Sequence, residues 1–481
     1  MLMTLENGQM NCWKASTEPF NEKIPNREED HMKKVTFQGG VHPNDQKQFS
    51  RDLPFIVYEP KGDLVYPLSQ HIGAAAVPVV QKGDKVLAGQ IIAEAGGFVS
   101  ANIISACSGK VKSIEKRTVA TGVKVQSIVI ENDGEFRTIE GIGKEVDPET
   151  LTKEEILGKI KDAGIVGLGG AGFPTHVKLA PKDADAIEYV IANGAECEPY
   201  ITCDDQLMRG NAPEIVTGME ILLRLFPNAE GVILIEENKP EAIAAVKEAC
   251  KGHSKVRVLE VQTKYPQGGE RSCVNVVTGK HLKLGMLPAD LGCVVDNVAT
   301  VYAIYEAVCR SMPLMIKGLT VSGDAVKRPG NYRVRIGTSF QELAEASGGI
   351  KDCAELKKAL CGGPMMGFAM ANLDVPVQKS NNALTLLAKD AVEEAELEMT
   401  ACLRCGRCNK ACSLGLVPQM MAQAAQRKDY DRFENKLYGM ECVACGSCTY
   451  ICPAKRPLMQ LFKQTKAEIM AAKRAAQAAK K

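Results

Sequence analysis

Eight of the eighteen cysteines fall into two runs of one spacing, Cys402-x2-Cys405-x2-Cys408-x3-Cys412 and Cys442-x2-Cys445-x2-Cys448-x3-Cys452-Pro453. Three thiolates in one tight loop can cap three irons of a cubane, while the fourth, beginning a helix, reaches across to a neighbouring cluster. The spacing therefore predicts two 4Fe-4S clusters with crossed ligands: Cys402, Cys405, Cys408 and Cys452 on one, Cys442, Cys445, Cys448 and Cys412 on the other. Zinc is the competing reading, since a Cys-x2-Cys pair is also a zinc-ribbon element. Zinc needs four ligands per site and rarely takes three cysteines at consecutive x2 intervals. Small residues between the sulfurs (Gly406, Ala444, Gly446, Ser447) also leave room for a bulkier group. The chemistry implied is one-electron transfer.

A second constellation lies upstream. The stretch Gly164-Ile165-Val166-Gly167-Leu168-Gly169-Gly170-Ala171-Gly172-Phe173-Pro174-Thr175-His176-Val177-Lys178 follows a capping box, Thr152-x-x-Glu155, that starts a helix. Glycines without Cβ atoms let backbone N–H groups approach a phosphate or a flat ring, and Lys178 adds a cation nearby. Alone the pattern is weak, because a helix and only a very short strand precede it, and a plain tight turn would look the same. Two further loops carry carboxylates beside glycine or asparagine: Asn193-Gly194-Ala195-Glu196-Cys197-Glu198-Pro199 and Tyr265-Pro266-Gln267-Gly268-Gly269-Glu270-Arg271. Unpaired buried acids are costly, so the run Asn193 to Pro199 with its two carboxylates points to binding more than to core, with a surface turn as the alternative.

The elements that must position these groups change texture along the chain. A length of 481 residues, at roughly 150 per domain, suggests three or four units. Residues 64 to 130 hold short β-branched runs separated by Gly and Asp, which argue a small β-barrel or sandwich. Residues 152 to about 300 alternate α and β. The piece from 314 to 350, with its Gly323-Asp324-Ala325-Val326-Lys327-Arg328-Pro329-Gly330 turn and closing helix, reads as compact and β-grasp-like.

Several of these stretches resemble known families. "VQKGDKVLAGQIIAEA" followed by "SACSGKVKSI" is similar to the lipoyl/biotinyl hammerhead, although residues 91 to 109 lack the lysine that would carry a swinging cofactor, so the module is expected to be structural. "GLGGAGFPTHVK" resembles the flavin and NADH loop of the NADH-binding flavoprotein of respiratory complex I and of its relative, the C subunit of the Rnf complex. The acidic loop, the Tyr265 loop and Asp296-Asn297-Val298-Ala299-Thr300 follow in that family's order. The β-grasp piece resembles the soluble-ligand-binding module of the same family, and Cys361-Gly362-Gly363-Pro364-Met365-Met366-Gly367 and Gly39-Gly40-Val41-His42-Pro43 resemble stretches of the Rnf protein; the cysteine runs resemble bacterial two-cluster ferredoxin.

The resemblance implies FMN and NAD(H) as cofactors. Gly167, Gly169, Gly170 and Gly172 would line the FMN phosphate and NADH; Lys178 and Asn193 would contact FMN. Glu196 and Glu198 would lie in the nicotinamide-side pocket, Gly268 and Glu270 would face the dinucleotide, and Asn297 with Thr300 would hold the FMN phosphate. Acids near an adenosine ribose favour NAD over NADP. Gly269 stands where the complex I flavoprotein has an acid. No catalytic side chain is assigned. The expected fold is multidomain α/β and α+β: a disordered extension over 1–32, a hammerhead-like barrel over 33–135, an FMN/NADH-binding α/β domain over 136–312, a β-grasp module over 313–390, a double 4Fe-4S domain over 391–460, and a basic tail over 461–481.

Composition fits an ordinary globular protein, 45% apolar and 24% charged with net charge +1, which offers no basic excess for nucleic acid. No apolar run suits a bilayer crossing, residues 1–31 lack the apolar core of a secretory peptide, and unpaired thiols fit a reducing compartment. The family resemblance implies a peripheral place on the cytoplasmic face of the cell membrane, with membrane-embedded and ferredoxin-domain subunits as partners, ferredoxin as the indirect electron source, and NADH. The tail, with Lys463, Lys466, Lys473, Arg474, Lys480 and Lys481, reads as solvated with no apolar stripe to bury, or as an arm for anionic lipid or an acidic partner. Three other readings share parts of this architecture: a cobalamin reductase of bacterial microcompartments, a soluble NADH diaphorase subunit, and an electron-relay scaffold whose dinucleotide site has decayed.

Overall fold

The computed structural model describes residues 35–283 and 285–478; the expected extension over 1–32 and the last residues of the tail lie outside them. The β-branched runs after residue 64 form two small sheets. Leu64–Pro67, Lys124–Asn132, Gly109–Thr118 and Lys85–Val86 make one, and Val77–Pro78, Ile91–Glu94 and Ile103–Ile104 make the other. Their inner faces close over Leu64, Tyr66, Ile92, Ile103, Ile128 and Ile130, all fully buried. Gly109 begins its strand at φ 152°, where a Cβ would lie 2.0 Å from the Glu131 carbonyl oxygen, so only glycine fits the crossing.

The alternating segment folds as expected. Thr152 and Glu155 form the reciprocal capping box of helix Lys153–Asp162. Four parallel strands follow in the order Val256–Val261, Glu230–Glu236, Tyr189–Gly194, Cys293–Asn297. Their continuous apolar runs suit strands covered on both faces. From Tyr189–Gly194 the chain moves outward twice on one side and then returns to the other side with Cys293–Asn297. The strand order therefore reverses between Tyr189–Gly194 and Cys293–Asn297, which is where open α/β sheets present a ligand crevice at their carboxyl ends.

The third sheet has the order Phe55–Tyr58, Gly330–Arg335, Ile316–Ser322, Ala383–Leu387, Lys358–Cys361, Phe368–Ala369. Its first strand comes from the segment that sequence places in the barrel. Phe55–Tyr58 pairs parallel with Gly330–Arg335, and Val41 bridges Tyr265, so residues 35–58 lie along the later domains. A β-prone run such as Phe-Ile-Val-Tyr announces a strand but not its partner.

The cysteine runs fold as two copies of one device. Arg404 and Ala444 both have φ 54°, Gly406 and Gly446 have φ 72° and 83°, and each glycine opens a short helix, Arg407–Ala411 or Ser447–Tyr450. The tail differs from expectation: Leu458–Ala478 is one helix whose Leu458, Phe462 and Ile469 are buried in the core that also holds Met421 and Phe433. The spacing i, i+4, i+11 is a helical stripe. It was hidden because the expected tail began inside it.

Candidate functional site

The crevice is built from backbone ends. Asn193 and Asn297 are register partners at the carboxyl ends of the two strands that flank the switch point. Asn193 Nδ2 donates to the Gly268 carbonyl at 2.9 Å, tying the first strand to the Tyr265 loop. Asn297 caps helix Val298–Cys309 by accepting from Ala299 N at 2.9 Å, and its Nδ2 donates to Asp204 at 2.8 Å. Thr300, fully buried, accepts the Leu168 N–H at 3.0 Å and so holds the glycine loop against that helix.

Gly169 lies so close that a Cβ would meet the Asn297 amide at 2.6 Å, whereas a Cβ on Gly170 would meet nothing within 4 Å. The open side of the loop is thus at Gly170. Gly167 takes part in the turn by donating to Phe173 O at 2.9 Å, and Gly172 accepts from Ile72 N of the barrel at 3.2 Å. Lys178 reaches Val295 O at 2.6 Å, Asp296 at 3.3 Å and Glu270 at 3.6 Å. Burial pulls the Lys178 ammonium down, but Asp296 and Glu270 outweigh it and leave it above its ordinary value. Asp296 is pushed up by burial, against the pull of Lys178. Glycine backbone open at Gly170 and the nearby Lys178 cation fit a phosphate or the polar edge of a flat ring, while the Asn193 and Asn297 amides hold the strand ends in place.

Glu196 and Glu198 are used within the fold. Glu196 accepts from Asp204 N at 2.6 Å at the start of helix Cys203–Gly210. Glu198 accepts from Met365 N at 3.1 Å and Met366 N at 2.8 Å. Burial pushes Glu198 up to about 7, partly offset by those two donors. Their loop is wrapped around two lysines on which sequence reasoning is silent. Lys47 donates to the carbonyls of Glu196, Glu198 and Ile201 at 2.9, 3.2 and 2.5 Å, and Lys239 donates to Ala195 O at 2.6 Å. Burial drives Lys47 and Glu196, 3.8 Å apart, toward their neutral forms. A third, Lys379, donates to Gly164 O at 2.7 Å and to Asn102 O, and burial without a carboxylate partner lowers it to about 7. A lone lysine has no spacing to betray it.

The eight motif thiols gather in two sets. Cys402, Cys405, Cys408 and Cys452 line one cavity, together with Arg456 and three glutamines, Gln419, Gln423 and Gln426. Cys412, Cys442, Cys445 and Cys448 line another whose remaining walls, Leu414, Leu416, Met421, Val443, Met459 and Phe462 among them, carry no charge. The second set abuts the crevice. Tyr265, 1% exposed, donates its hydroxyl to Cys445 O at 2.7 Å, three residues before Gly268. Val41, Met365 and Ala411 pack around Tyr265, and Arg271 pairs with Glu441 at 2.7 Å. Gly39 crosses the same junction at φ 83°, where a Cβ would stand 2.6 Å from Cys412 O. In the first set Cys402 and Cys405 are exposed.

A parallel-sheet crevice joined through one tyrosine to paired cysteine sets defines a modular redox protein. Residues 160–306 match the family model described as the Nuo51 FMN-binding domain, 35–135 the RnfC barrel sandwich hybrid domain, and 319–369 the SLBB domain. The chain is 44% identical over 437 residues to the C subunit of the proton-translocating ferredoxin:NAD(+) oxidoreductase complex of Clostridium ljungdahlii, covering 91% of this chain and 94% of that one. It is 39% identical over 448 residues to the Na(+)-translocating counterpart of Acetobacterium woodii, covering 92% and 99%. To the C subunit of the ion-translocating oxidoreductase complex of Rhodobacter capsulatus it is 40% identical over 391 residues, covering 80% and 74%. The chain belongs to the family of C subunits of ion-translocating ferredoxin:NAD(+) oxidoreductase complexes, related to the complex I flavoprotein. Among the described residues no helix is long and apolar enough to cross a membrane.

Proposed function

We propose that this chain is the peripheral electron-transfer subunit of an ion-translocating ferredoxin:NAD oxidoreductase, passing electrons among two 4Fe-4S clusters, FMN and NAD(H). The observation that carries the reading is the adjacency of the Cys412, Cys442, Cys445 and Cys448 set to the switch-point crevice through Tyr265. A flavin can exchange an electron pair, as one hydride, with nicotinamide and single electrons with clusters, so it would convert between the two kinds of carrier. The chain's own groups supply the surroundings. Gly167, Gly169, Gly170 and Gly172 offer backbone without side chains, and Lys178 offsets anionic charge. Asn193 and Asn297 fix the strand ends, and Gly268 and Glu270 form the far wall. The buried Lys47 and Lys239 hold the acidic loop in shape from beneath.

The domain boundaries given above, the crossed ligation and a station on the cytoplasmic face belong to the same proposal. The relatives are named as C subunits of proton- and Na(+)-translocating complexes, so integral partners would carry the ion and this chain would supply the nicotinamide site. The test is anaerobic purification followed by flavin and iron analysis and NADH-dependent reduction of an artificial acceptor. About eight irons per chain are expected from the cysteine ligand count, and non-covalent FMN from the match of residues 160–306 to an FMN-binding domain. Gly170→Val fills the open side of the glycine loop without meeting protein atoms at the Cβ, so it is expected to lose flavin and keep iron. Zinc in place of iron, or flavin retained by that variant, would overturn the corresponding half.

A further inference from the structure

The glycine loop is the tip of a short stem. Val166 bridges Pro174, Thr175 N donates to Ile165 O at 3.1 Å, and Gly167 N donates to Phe173 O at 2.9 Å, so a displacement at the base, Gly164, moves the whole tip. Helix Val298–Cys309 fixes one side of the tip through Thr300 and Leu168 N. The other fixings come from outside the flavin domain. At the base, Lys379 Nζ donates to Gly164 O at 2.7 Å and to Asn102 O of the barrel. Gly164, at φ 66°, leaves that space free: a Cβ there would stand 2.6 Å from Asn102 O and 3.1 Å from the ammonium. At the far shoulder Gly172 O accepts from Ile72 N at 3.2 Å, and a Cβ on Gly172 would meet Gln70 O at 3.2 Å and Ser380 Cβ at 3.8 Å. Lys379 is itself clamped, since its N–H donates to the Gln70 side chain at 3.1 Å and its carbonyl accepts from Lys317 Nζ at 2.7 Å. One residue, 1% exposed, thus joins the barrel, the base of the flavin loop and the third sheet.

We propose that Lys379 is a positioning residue for the flavin loop, fastening Gly164 to the barrel at Asn102 so that the open backbone at Gly170 is held where a flavin can meet it. This rests on the FMN reading above and carries the site beyond residues 160–306 to the barrel and to the segment ahead of strand Ala383–Leu387. An ammonium buried without a carboxylate costs stability that an apolar side chain of similar length would not, and burial alone lowers Lys379 to about 7. What it returns is position: two buried carbonyls from separate domains share one donor group. The titratable groups that face it are Lys317 and His71, whose Nε2 accepts from Ala101 N at 3.2 Å and is therefore unprotonated. Lys161 is exposed and gives Asn102 Nδ2 its carbonyl. A neutral Lys379 keeps N–H donors but loses the strength that charge lends them, so its grip on the loop weakens as pH rises through about 7.

The experiment follows FMN release from the full-length holoprotein on dilution, read by recovery of flavin fluorescence, with iron content and melting temperature measured beside it. Lys379→Met should bind FMN about tenfold more weakly at about pH 6.5, the loss expected for one charge-assisted hydrogen bond, and should keep its iron. Saturating FMN should restore its NADH-dependent reduction of an artificial acceptor. The advantage of the wild type should narrow to a few-fold by about pH 8.5, where Lys379 is neutral; the phosphate of FMN ionises alike with both proteins, so the comparison cancels it. Lys379→Gln, in case Lys379→Met folds poorly, keeps an amide donor and should lose a few-fold with little dependence on pH. Unchanged FMN affinity with a lowered melting temperature would overturn the proposal and leave Lys379 a purely structural pin. So would a wild-type advantage that does not vary with pH, or loss of iron in step with FMN in both variants. A wild type that holds no FMN at any pH would instead overturn the flavin reading.

Discussion

The Cys402 and Cys442 runs share their spacing, their left-handed residues and their short helices, yet they sit in opposite surroundings. One lies at the surface beside Arg456 and three glutamines. The other is walled by uncharged side chains and pressed against Tyr265 and Met365. A repeated local device thus differs by what packs on it, one copy facing inward to the crevice and the other outward to solvent. Both roles need the same ligand spacing, and only the neighbours differ.

The most drastic way to break the comparison is to remove one cluster at a time. Cys445→Ala should abolish the inner cluster and stop NADH from reducing the outer one, although dithionite still does. Cys405→Ala should remove the outer cluster and leave the inner one reducible by NADH. Electron paramagnetic resonance after each reductant reads both outcomes. If NADH still reduces the outer cluster of Cys445→Ala at the wild-type rate, the inward and outward assignments are reversed or the two act in parallel.

Tyr265→Phe tests the junction more gently. It deletes the hydroxyl that donates to Cys445 O at 2.7 Å while keeping the packed ring. A single such bond is worth about 1 kcal/mol in stability. The expected kinetic signature is slower flavin-to-cluster transfer with unchanged flavin reduction by NADH, and a spectrum altered only for the inner cluster. A change confined to the outer cluster would contradict the placement.

Charge should also separate the two sites in potential. Reduction adds negative charge, which uncharged, water-poor walls disfavour and a nearby guanidinium favours. The outer cluster is therefore expected to titrate at the higher potential. Arg456→Gln should lower it by roughly 50 mV, given that about 59 mV is a factor of ten for a one-electron couple, and leave the inner one in place. Equal shifts in both would mean that the wall charges act over the whole domain.

How much of this was legible beforehand depends on whether a feature is local. The ligand spacing, the capping box of Thr152 and Glu155, the parallel α/β run and the glycine turn at Gly167 to Gly172 are sequence-local, and the structure forms each of them. The side of the crevice and the pairing of Phe55–Tyr58 with the distant strand Gly330–Arg335 depend on remote partners that periodicity does not encode. Lys47, Lys239 and Lys379 are the clearest case. Each is buried by carbonyls supplied from elsewhere, and in sequence each looks like one more surface lysine. Sequence supplied the family's role for Glu198 but not its inward use by Met365 and Met366.

That inward use gives the smallest expected effect and a last check that the inner face is the buried one. Burial pushes Glu198 up to about 7 in the folded protein, against about 4.3 in an unfolded chain. Between those values the folded state binds more protons than the unfolded one, so this group's contribution to stability falls as pH rises through the window and levels off above about 7. Glu198→Gln keeps an acceptor for one of the two methionine N–H groups and cannot ionise. Its melting temperature is expected to decline less between about pH 5 and 8 than that of the wild type, by a few degrees at most in a chain of this size. Neutralising a cation of the outer run, as in Arg407→Gln, should leave that slope unchanged. If the Arg407 variant flattens the slope and Glu198→Gln does not, the titrating group lies at the outward face, and the contrast between the two cysteine sites loses its buried side.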